Sequence, residues 1–329
     1  RLIYQAGNRL HLPRYTNPLF FSMSNEKYAI VQISGGLGKH IALTAALQVV
    51  KRTYPDRKLI AMVAWPELFA SLPFVDRVYP LGNTQYFYET YIDGKDSLIF
   101  AQEVYFTTSH ILKQKSMIES WCAMYGLEYQ GEQPKLKINI EQKKAIRNFY
   151  EPKLEGKPFL LLHTNGGLFT NERPFCWSRD MPIEVATKVA QHFSKDHFIM
   201  QITRPKSPKI EVDGVFVRNE QLSNTELCGL LELTDKRLLI DSSLQHAAAA
   251  FNLPSTVIWN ATSSTIFGHG IHDNIHAKPK PYKALPNSVY FDYSFDANEH
   301  EFPYEEDDLD DLYNIDQIID SLEKQNQRT

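Results

Sequence analysis

Long apolar runs are absent from this chain: none of its 329 residues belongs to a stretch approaching the roughly 20 that a membrane-spanning helix needs. The opening residues also lack a basic stretch followed by an apolar one, so no secretory leader is read there, and a cytoplasmic protein is the expectation. Cysteine is scarce. Cys122, Cys176 and Cys228 are far apart and odd in number, which excludes a disulfide framework and a paired-cysteine metal site and favours a reducing compartment. An excess of charge of either sign is missing too, with 35 basic against 39 acidic residues and a net charge of −4, so there is no general attraction to nucleic acid or anionic membrane. A local basic patch is compatible with that balance. Repeats and low-complexity segments are also lacking.

Core-forming material is plentiful, at 43% hydrophobic residues, and the length exceeds what a single core usually spans. From residue 28 onward apolar strand-like runs alternate with helical patterns. Tyr28–Ser34 reads as a buried strand, Gly38–Tyr54 as a helix and Lys58–Ala64 as a second strand, with Pro55-Asp56 at the turn. A short helix at Pro66–Leu72, strands at Asp76–Leu81 and Ser97–Ala101, an aromatic loop at Gln85–Tyr91 and a helix over His110–Tyr125 follow. After a polar Lys- and Glu-rich stretch the alternation resumes. Strands are expected at Phe159–His163, His197–Ile202, Gly214–Arg218, Arg237–Ile240 and Ser255–Trp259, and helices at Ile183–Phe193, Asn224–Leu233 and Ser243–Asn252. Such alternation predicts an α/β fold of two parallel-sheet, Rossmann-like domains facing across a cleft. The expected divisions are an N-terminal arm at 1–26, a first domain at 27–155, a second at 156–300, and an acidic segment with a terminal helix at 301–329.

Two segments carry chemistry. The first is Ile33-Ser34-Gly35-Gly36-Leu37-Gly38-Lys39-His40, three glycines between a strand and a helix, where something comes close to the backbone. The second is "LLIDSSLQHAAAAFNLPSTVIWN" at 238–260: a strand, then Asp241-Ser242-Ser243 opening a small-residue helix, then Pro254 and another strand. Asp-Ser-Ser before a helix is ordinary capping chemistry. It also lies where a parallel sheet places its ligand crevice, and free amides at a helix N-terminus attract anions.

This second segment resembles that of the heptosyltransferase-like glycosyltransferases, family 9 of the two-Rossmann-domain (GT-B) enzymes. Asp241, Ser242, His246, Ala248, Ala249 and Pro254 fall in register with its Asp-Ser-Gly-x-x-His-x-Ala-Ala-Ala pattern and following proline. The first domain matches at Gly38-Lys39, Ala46-Leu47, Tyr54-Pro55 and Pro73–Val78, and the Gly-Gly-Leu-Gly loop is similar to that of GT-B fucosyltransferases as well. The resemblance covers about residues 28 to 80 and 158 to 275, and departs at Lys39, where the family has its proposed general-base Asp, and at Ser243, where it has Gly.

The resemblance implies transfer of a sugar from a nucleotide diphosphate-sugar to an acceptor hydroxyl, inverting, with the nucleotide-sugar as co-substrate and neither cofactor nor metal. The acceptor is a glycan or lipopolysaccharide-type sugar, with a nucleic-acid base an alternative. The implied donor site is Thr164, Asn165 and Gly166, with Arg173 or Arg179 as the cation, then Asp241, Ser242, Ser243 and His246, and the loop from Asn260. The loop glycines Gly35, Gly36 and Gly38 let the substrates approach the first helix. For the base, His40 is the first candidate because a neutral imidazole is available at pH 7, Glu103 the second, and Lys39 stands beside His40 to shift its titration or hold an acidic acceptor. Arg204 and Lys206, after the strand His197–Ile202, are expected at the solvated surface, with approach to the nucleotide base or phosphate the alternative, and His269, His272 and His276 in a loop without a complete metal set. A non-catalytic nucleotide-sugar-binding protein and a sugar-nucleotide epimerase share the architecture. A dinucleotide-dependent dehydrogenase fits poorly, because the glycine spacing is incomplete and no acidic residue ends the second strand at Ala64. Composition leaves the oligomeric state open.

Overall fold

The computed structural model describes residues 26–82, 84–166, 176, 178–278, 309 and 311–327. The arm at 1–25, Arg173 and the acidic run at 305–308 lie outside the described residues. In chain order the first half holds β1 (Lys27–Ile33), α1 (Leu37–Thr53), β2 (Lys58–Val63), β3 (Arg77–Pro80), α2 (Phe87–Tyr91), β4 (Asp96–Phe100), α3 (Thr108–Ile111), α4 (Met117–Met124) and α5 (Ile140–Leu154). The second holds β5 (Phe159–His163), α6 (Ile183–Phe193), β6 (Phe198–Ile202), β7 (Val215–Arg218), α7 (Asn224–Gly229), β8 (Lys236–Ile240), α8 (Ser243–Ala250), β9 (Thr256–Trp259), α9 (Ser264–Phe267), β10 (Asp273–His276) and α10 (Ile315–Glu323). No helix among the described residues is long and apolar enough to cross a membrane.

The strands form two parallel sheets, one of four strands in the order β3-β2-β1-β4 and one of six in the order β10-β9-β8-β5-β6-β7. Each sheet starts from a central strand, winds outward on one side, then crosses over to the other. Buried Val, Ile and Leu on both faces of β1, β2, β5 and β8 explain why these strands read as continuous apolar runs. Helix α1 is buried around almost its whole circumference from Lys39 to Val50, because one face packs on the first sheet and the other meets α8 of the second domain. The alanines Ala247–Ala250 of α8 permit that close approach.

Four expectations are corrected. Gln85–Tyr91 is not all loop: Phe87 and Tyr91, four apart, bury one face of α2 against Tyr28, Ile30, Ile60 and Met62. His110–Tyr125 is two helices, because Lys113 takes a left-handed φ of 54° and the Ser116 side chain accepts from the Glu119 amide at 3.1 Å to start α4 anew. Pro66–Leu72 shortens to a 3-10 turn at Pro66–Leu68. The segment holding His272 and His276 supplies edge strand β10, where buried Ile275 and the bond from Trp259 Nε1 to Asn274 Oδ1 at 2.8 Å outweigh the loop propensity of Asn.

Helix α5, placed by its sequence before the division at 155, packs on the second half. Ile146 sits against Gly229, where an added Cβ would come within 2.5 Å of Ile146 Cδ1, and Tyr150 donates to Glu226 at 2.7 Å. Helix α10 docks through buried Ile318 and Leu322, and Lys236 Nζ donates to the Leu322 carbonyl at 2.8 Å.

Candidate active site

In each sheet the crossover point falls between two neighbouring strands, β1 and β4 in the first and β5 and β8 in the second. Loops leaving the carboxyl ends of such strands diverge and leave a crevice. Here the two crevices share one cleft of about 650 Å³, lined from the first domain by Gly36–Lys39, Trp65, Tyr105 and Met117, and from the second by Asn165, Gly166, Arg179, Arg204, Asp241–Ser243 and His246.

On the first wall, Gly35 makes the turn at a φ of +112°, a conformation costly for any other residue, and its carbonyl accepts from Trp65 Nε1 at 3.2 Å. Gly36 caps α1 without a side-chain bond, no acidic residue occupies the first turn, and a Cβ on Gly36 would meet nothing within 4 Å. The first amides of a 17-residue helix therefore open on the cleft, carrying the positive end of its dipole. Gly38 has the opposite surroundings: an added Cβ would lie 2.8 Å from His246 Cδ2 and 3.2 Å from Ser243 Cα. Gly38 is the closest approach of α1 to α8, and the domains also meet where Asn224 donates to Glu67 at 2.6 Å.

Lys39 and His40 divide in role. Lys39 lines the cleft, forms an ion pair with Glu103, and holds its Nζ 4.5 Å from the centre of the Tyr105 ring. Glu103 also accepts from the Tyr105 amide at 3.2 Å and keeps 29% of its side chain exposed. His40 is fully buried and away from the cleft. Burial pushes its pKa down against the opposing effect of backbone bonds, and the neutral ring donates from Nδ1 to the Gly36 carbonyl at 2.9 Å while Nε2 accepts from the Ala64 amide at 3.1 Å. It pins the glycine loop to the end of β2 and has no nitrogen left for a substrate.

The second wall is organised by a residue with no counterpart in the sequence expectations. Asp180, wholly buried, accepts from Asn165 Nδ2 at 2.9 Å, the Gly166 amide at 3.1 Å, the Cys176 amide at 2.8 Å and the Arg204 guanidinium at 2.5 Å. Burial raises its carboxyl pKa and Arg204 opposes the rise. Arg204, expected in solvent, is 3% exposed and lines the cleft. Arg179 stands near Asp241: burial works against its charge, Asp241 together with Cys176, Asp180 and Tyr105 more than offsets that, and Arg179 in turn pulls down an Asp241 carboxyl that burial raises. Gly166 is packed against Ser242, and Ser242 opens α8 without a side-chain cap bond, leaving a second set of helix amides facing the cleft.

His246 reaches the cleft from α8 and bonds through Nδ1 to His269 Nε2 at 2.8 Å. His272 donates from Nε2 to the Gln245 carbonyl at 2.8 Å. Burial pushes His246 down to about 3 and His272 to about 4, so the cluster is neutral near pH 7. His276 bonds elsewhere, to Ser264, and among the described residues no group of three or more His, Cys, Asp or Glu is arranged to hold a metal ion.

The expected residues thus separate. Gly36, Gly38, Lys39, Asn165, Gly166, Arg179, Asp241, Ser242, Ser243 and His246 come together in the cleft, with Glu103 behind Lys39. Thr164 is buried beneath it, donating to Asn165 Oδ1 at 2.9 Å and accepting from Gln201 at 2.9 Å. Asn260 also lies behind the wall, donating to the Asp180 carbonyl at 2.7 Å and accepting from Tyr313. Both support the site and neither lines it.

No family profile and no curated protein sequence matches the chain. Solved structures do. A family 9 glycosyltransferase from Veillonella parvula superposes with a TM-score of 0.65 at 11% identity, over 92% of this chain and 98% of that one. The ADP-heptose lipopolysaccharide heptosyltransferase II of E. coli gives 0.63 at 11% identity, over 92% and 99%. The iron-containing dodecameric heptosyltransferase TibC of enterotoxigenic E. coli, in complex with ADP-D-β-D-heptose, gives 0.60 at 13% identity, over 91% and 76%. At such identity the likeness is one of architecture, and the chain has the two-domain GT-B fold that these family 9 glycosyltransferases and heptosyltransferases share.

Proposed function

We propose that the protein is a glycosyltransferase that binds a nucleotide diphosphate-sugar on the second-domain wall and moves the sugar to an acceptor hydroxyl held on the first. The observation that carries this reading is the convergence of Arg179, Arg204 and the uncapped N-terminus of α8 on one side of a cleft whose other side is the uncapped N-terminus of α1. TibC, with ADP-D-β-D-heptose bound, supports a donor of this class. In the reaction the acceptor oxygen forms a bond to the anomeric carbon as the bond to the diphosphate oxygen breaks. The diphosphate leaves with the electron pair, and its charge meets the two guanidinium groups and the α8 amides. Asp180 keeps Arg204, Asn165 and Gly166 in place for this. A charge sink of this kind suits inversion at the anomeric carbon without a divalent ion.

The acceptor must lose a proton. His40 is occupied, so Glu103, ion-paired with Lys39 just behind the first wall and still 29% exposed, is the proposed proton acceptor, and a glycan hydroxyl packed on Trp65 and Tyr105 the proposed nucleophile. The test is a donor screen that measures release of nucleoside diphosphate with simple glycan acceptors, with and without EDTA. Expected is release from one donor class, insensitive to EDTA and at least 100-fold lower in Glu103→Gln, in the range of a general-base loss. Turnover of no nucleotide-sugar would refute the reading.

A further inference from the structure

Among the described residues eight large apolar side chains are exposed, and six of them fall between Tyr86 and Leu112. Three belong to one short segment: Phe106 is 69% exposed, Ile111 37% and Leu112 58%. The segment runs from the 3-10 turn Val104–Phe106 through α3 to the start of α4, and its two ends, Tyr105 and Met117, both line the cleft. Between Val104 and Ser116 the charged residues are Lys113 and Lys115 and there is no acidic one, in a chain of net charge −4. The left-handed turn at Lys113 sets it beside the apolar tip, and Lys115, 45% exposed on its side chain, makes an exposed ion pair with Glu119 at 3.3 Å. A pair of that kind holds weakly in water and is free to exchange for other anions.

We propose that the segment Tyr105–Lys115 docks the protein on the surface of an anionic lipid bilayer, with Phe106, Ile111 and Leu112 entering the headgroup boundary and Lys113 and Lys115 meeting lipid phosphates. Aliphatic Ile111 and Leu112 beside lysines fit that boundary, where apolar stems enter and charged tips stay wet. A glycan platform would present aromatic faces and hydrogen-bonding groups instead. Three side chains and two charges make a weak, reversible, salt-sensitive attachment. The surface borders the first wall of the cleft, so a docked molecule would meet acceptors carried at the membrane.

The test is flotation of the full chain with vesicles of phosphatidylcholine alone or with about 30% phosphatidylglycerol, at low and physiological salt. Expected is binding to the anionic vesicles only, weakened by salt, and reduced about tenfold both by Phe106→Ser with Leu112→Ser and by Lys113→Glu with Lys115→Glu. Unchanged thermal stability of both double variants would show that the loss is one of docking. Failure to float with anionic vesicles at low salt, binding undiminished in both variants, or binding to a soluble glycan or a second copy of the chain through the same residues would overturn the proposal. Vesicle binding is read without any transfer reaction, so it stands or falls apart from the donor assignment.

Discussion

Replacing Gly38 with Ala probes the contact on which the cleft is built. The φ of Gly38 is not in the left-handed region, so the effect is purely steric: the new methyl would sit 2.8 Å from His246 Cδ2, 3.4 Å from His246 Nε2 and 3.2 Å from Ser243 Cα. Ser243 is backbone and cannot retreat alone. His246 is held from behind by His269 at 2.8 Å. The overlap is relieved only by moving α1 away from α8, which separates the two walls. Overpacking of this kind costs about 1–3 kcal/mol, offset by up to about 1 kcal/mol for Ala over Gly in a helix. With the full offset the net loss is about 0–2 kcal/mol, about 1 kcal/mol at mid-range, and lowers Tm by a few degrees, at about 2–4 °C per kcal/mol for a chain of this order. Gly36→Ala is the control, since its methyl meets nothing within 4 Å and its φ is −73°. Thermal unfolding followed by circular dichroism reads both. Equal stability of Gly38→Ala and wild type, or equal damage from Gly36→Ala, would refute the packing argument.

Other variants separate structural from chemical roles. His40→Ala leaves the Ala64 amide without its partner and the Gly36 carbonyl with only the residue-40 amide at 3.3 Å, and is expected to lose about 1–3 kcal/mol of stability, measured by denaturant titration, with nucleotide affinity falling too because the loop is unpinned. A fully stable variant that binds nucleotide but transfers no sugar would restore His40 as a catalytic group. Asp180→Ala strips four donors of their acceptor and leaves Arg204 as a buried unpaired charge, so a loss of about 3–5 kcal/mol is expected in the same titration, with Asp180→Asn losing less. Stability should also fall on acidification. Burial lowers His110, His163 and His272 to about 4 and His246 to about 3, below the ordinary value of 6.5. The unfolded chain therefore takes up protons first, and stability present above about pH 6.5 is lost as pH falls toward 4, by about 1 kcal/mol per unit for each group. Tm measured from pH 7 to 4.5 should show this, and His110→Phe, which removes a ring with no hydrogen-bond partner, should flatten the curve; an unchanged curve contradicts the cause.

The parallel architecture was legible because β1, β2, β5 and β8 are buried on both faces and so appear as unbroken apolar runs, each followed by a helical pattern. Asp241–Ser243 was legible for a local reason: the strand end, the cap residues and the helix lie within a few positions of each other. The Asp180 network was not, because its partners lie 4, 14, 15 and 24 residues away and only the fold brings them together. His40 misled for the same reason. In the sequence it is a histidine beside a glycine loop, and the Ala64 amide that occupies its ring lies 24 residues on. Arg204 looked like a surface cation until Asp180 supplied its counter-charge. Family resemblance gave the cleft its implied chemistry and also exposed the departure at Lys39, whose partner Glu103 lies 64 residues away.

Calorimetric titration of the protein with a panel of nucleoside monophosphates, nucleoside diphosphates and nucleotide diphosphate-sugars tests the central claim most directly. The account predicts binding of one nucleotide class, tighter for the diphosphate than the monophosphate, and at least tenfold weaker in Arg179→Gln, a loss of about 1.4 kcal/mol. Absence of binding by every nucleotide, or diphosphate binding unaffected by Arg179→Gln, would contradict it.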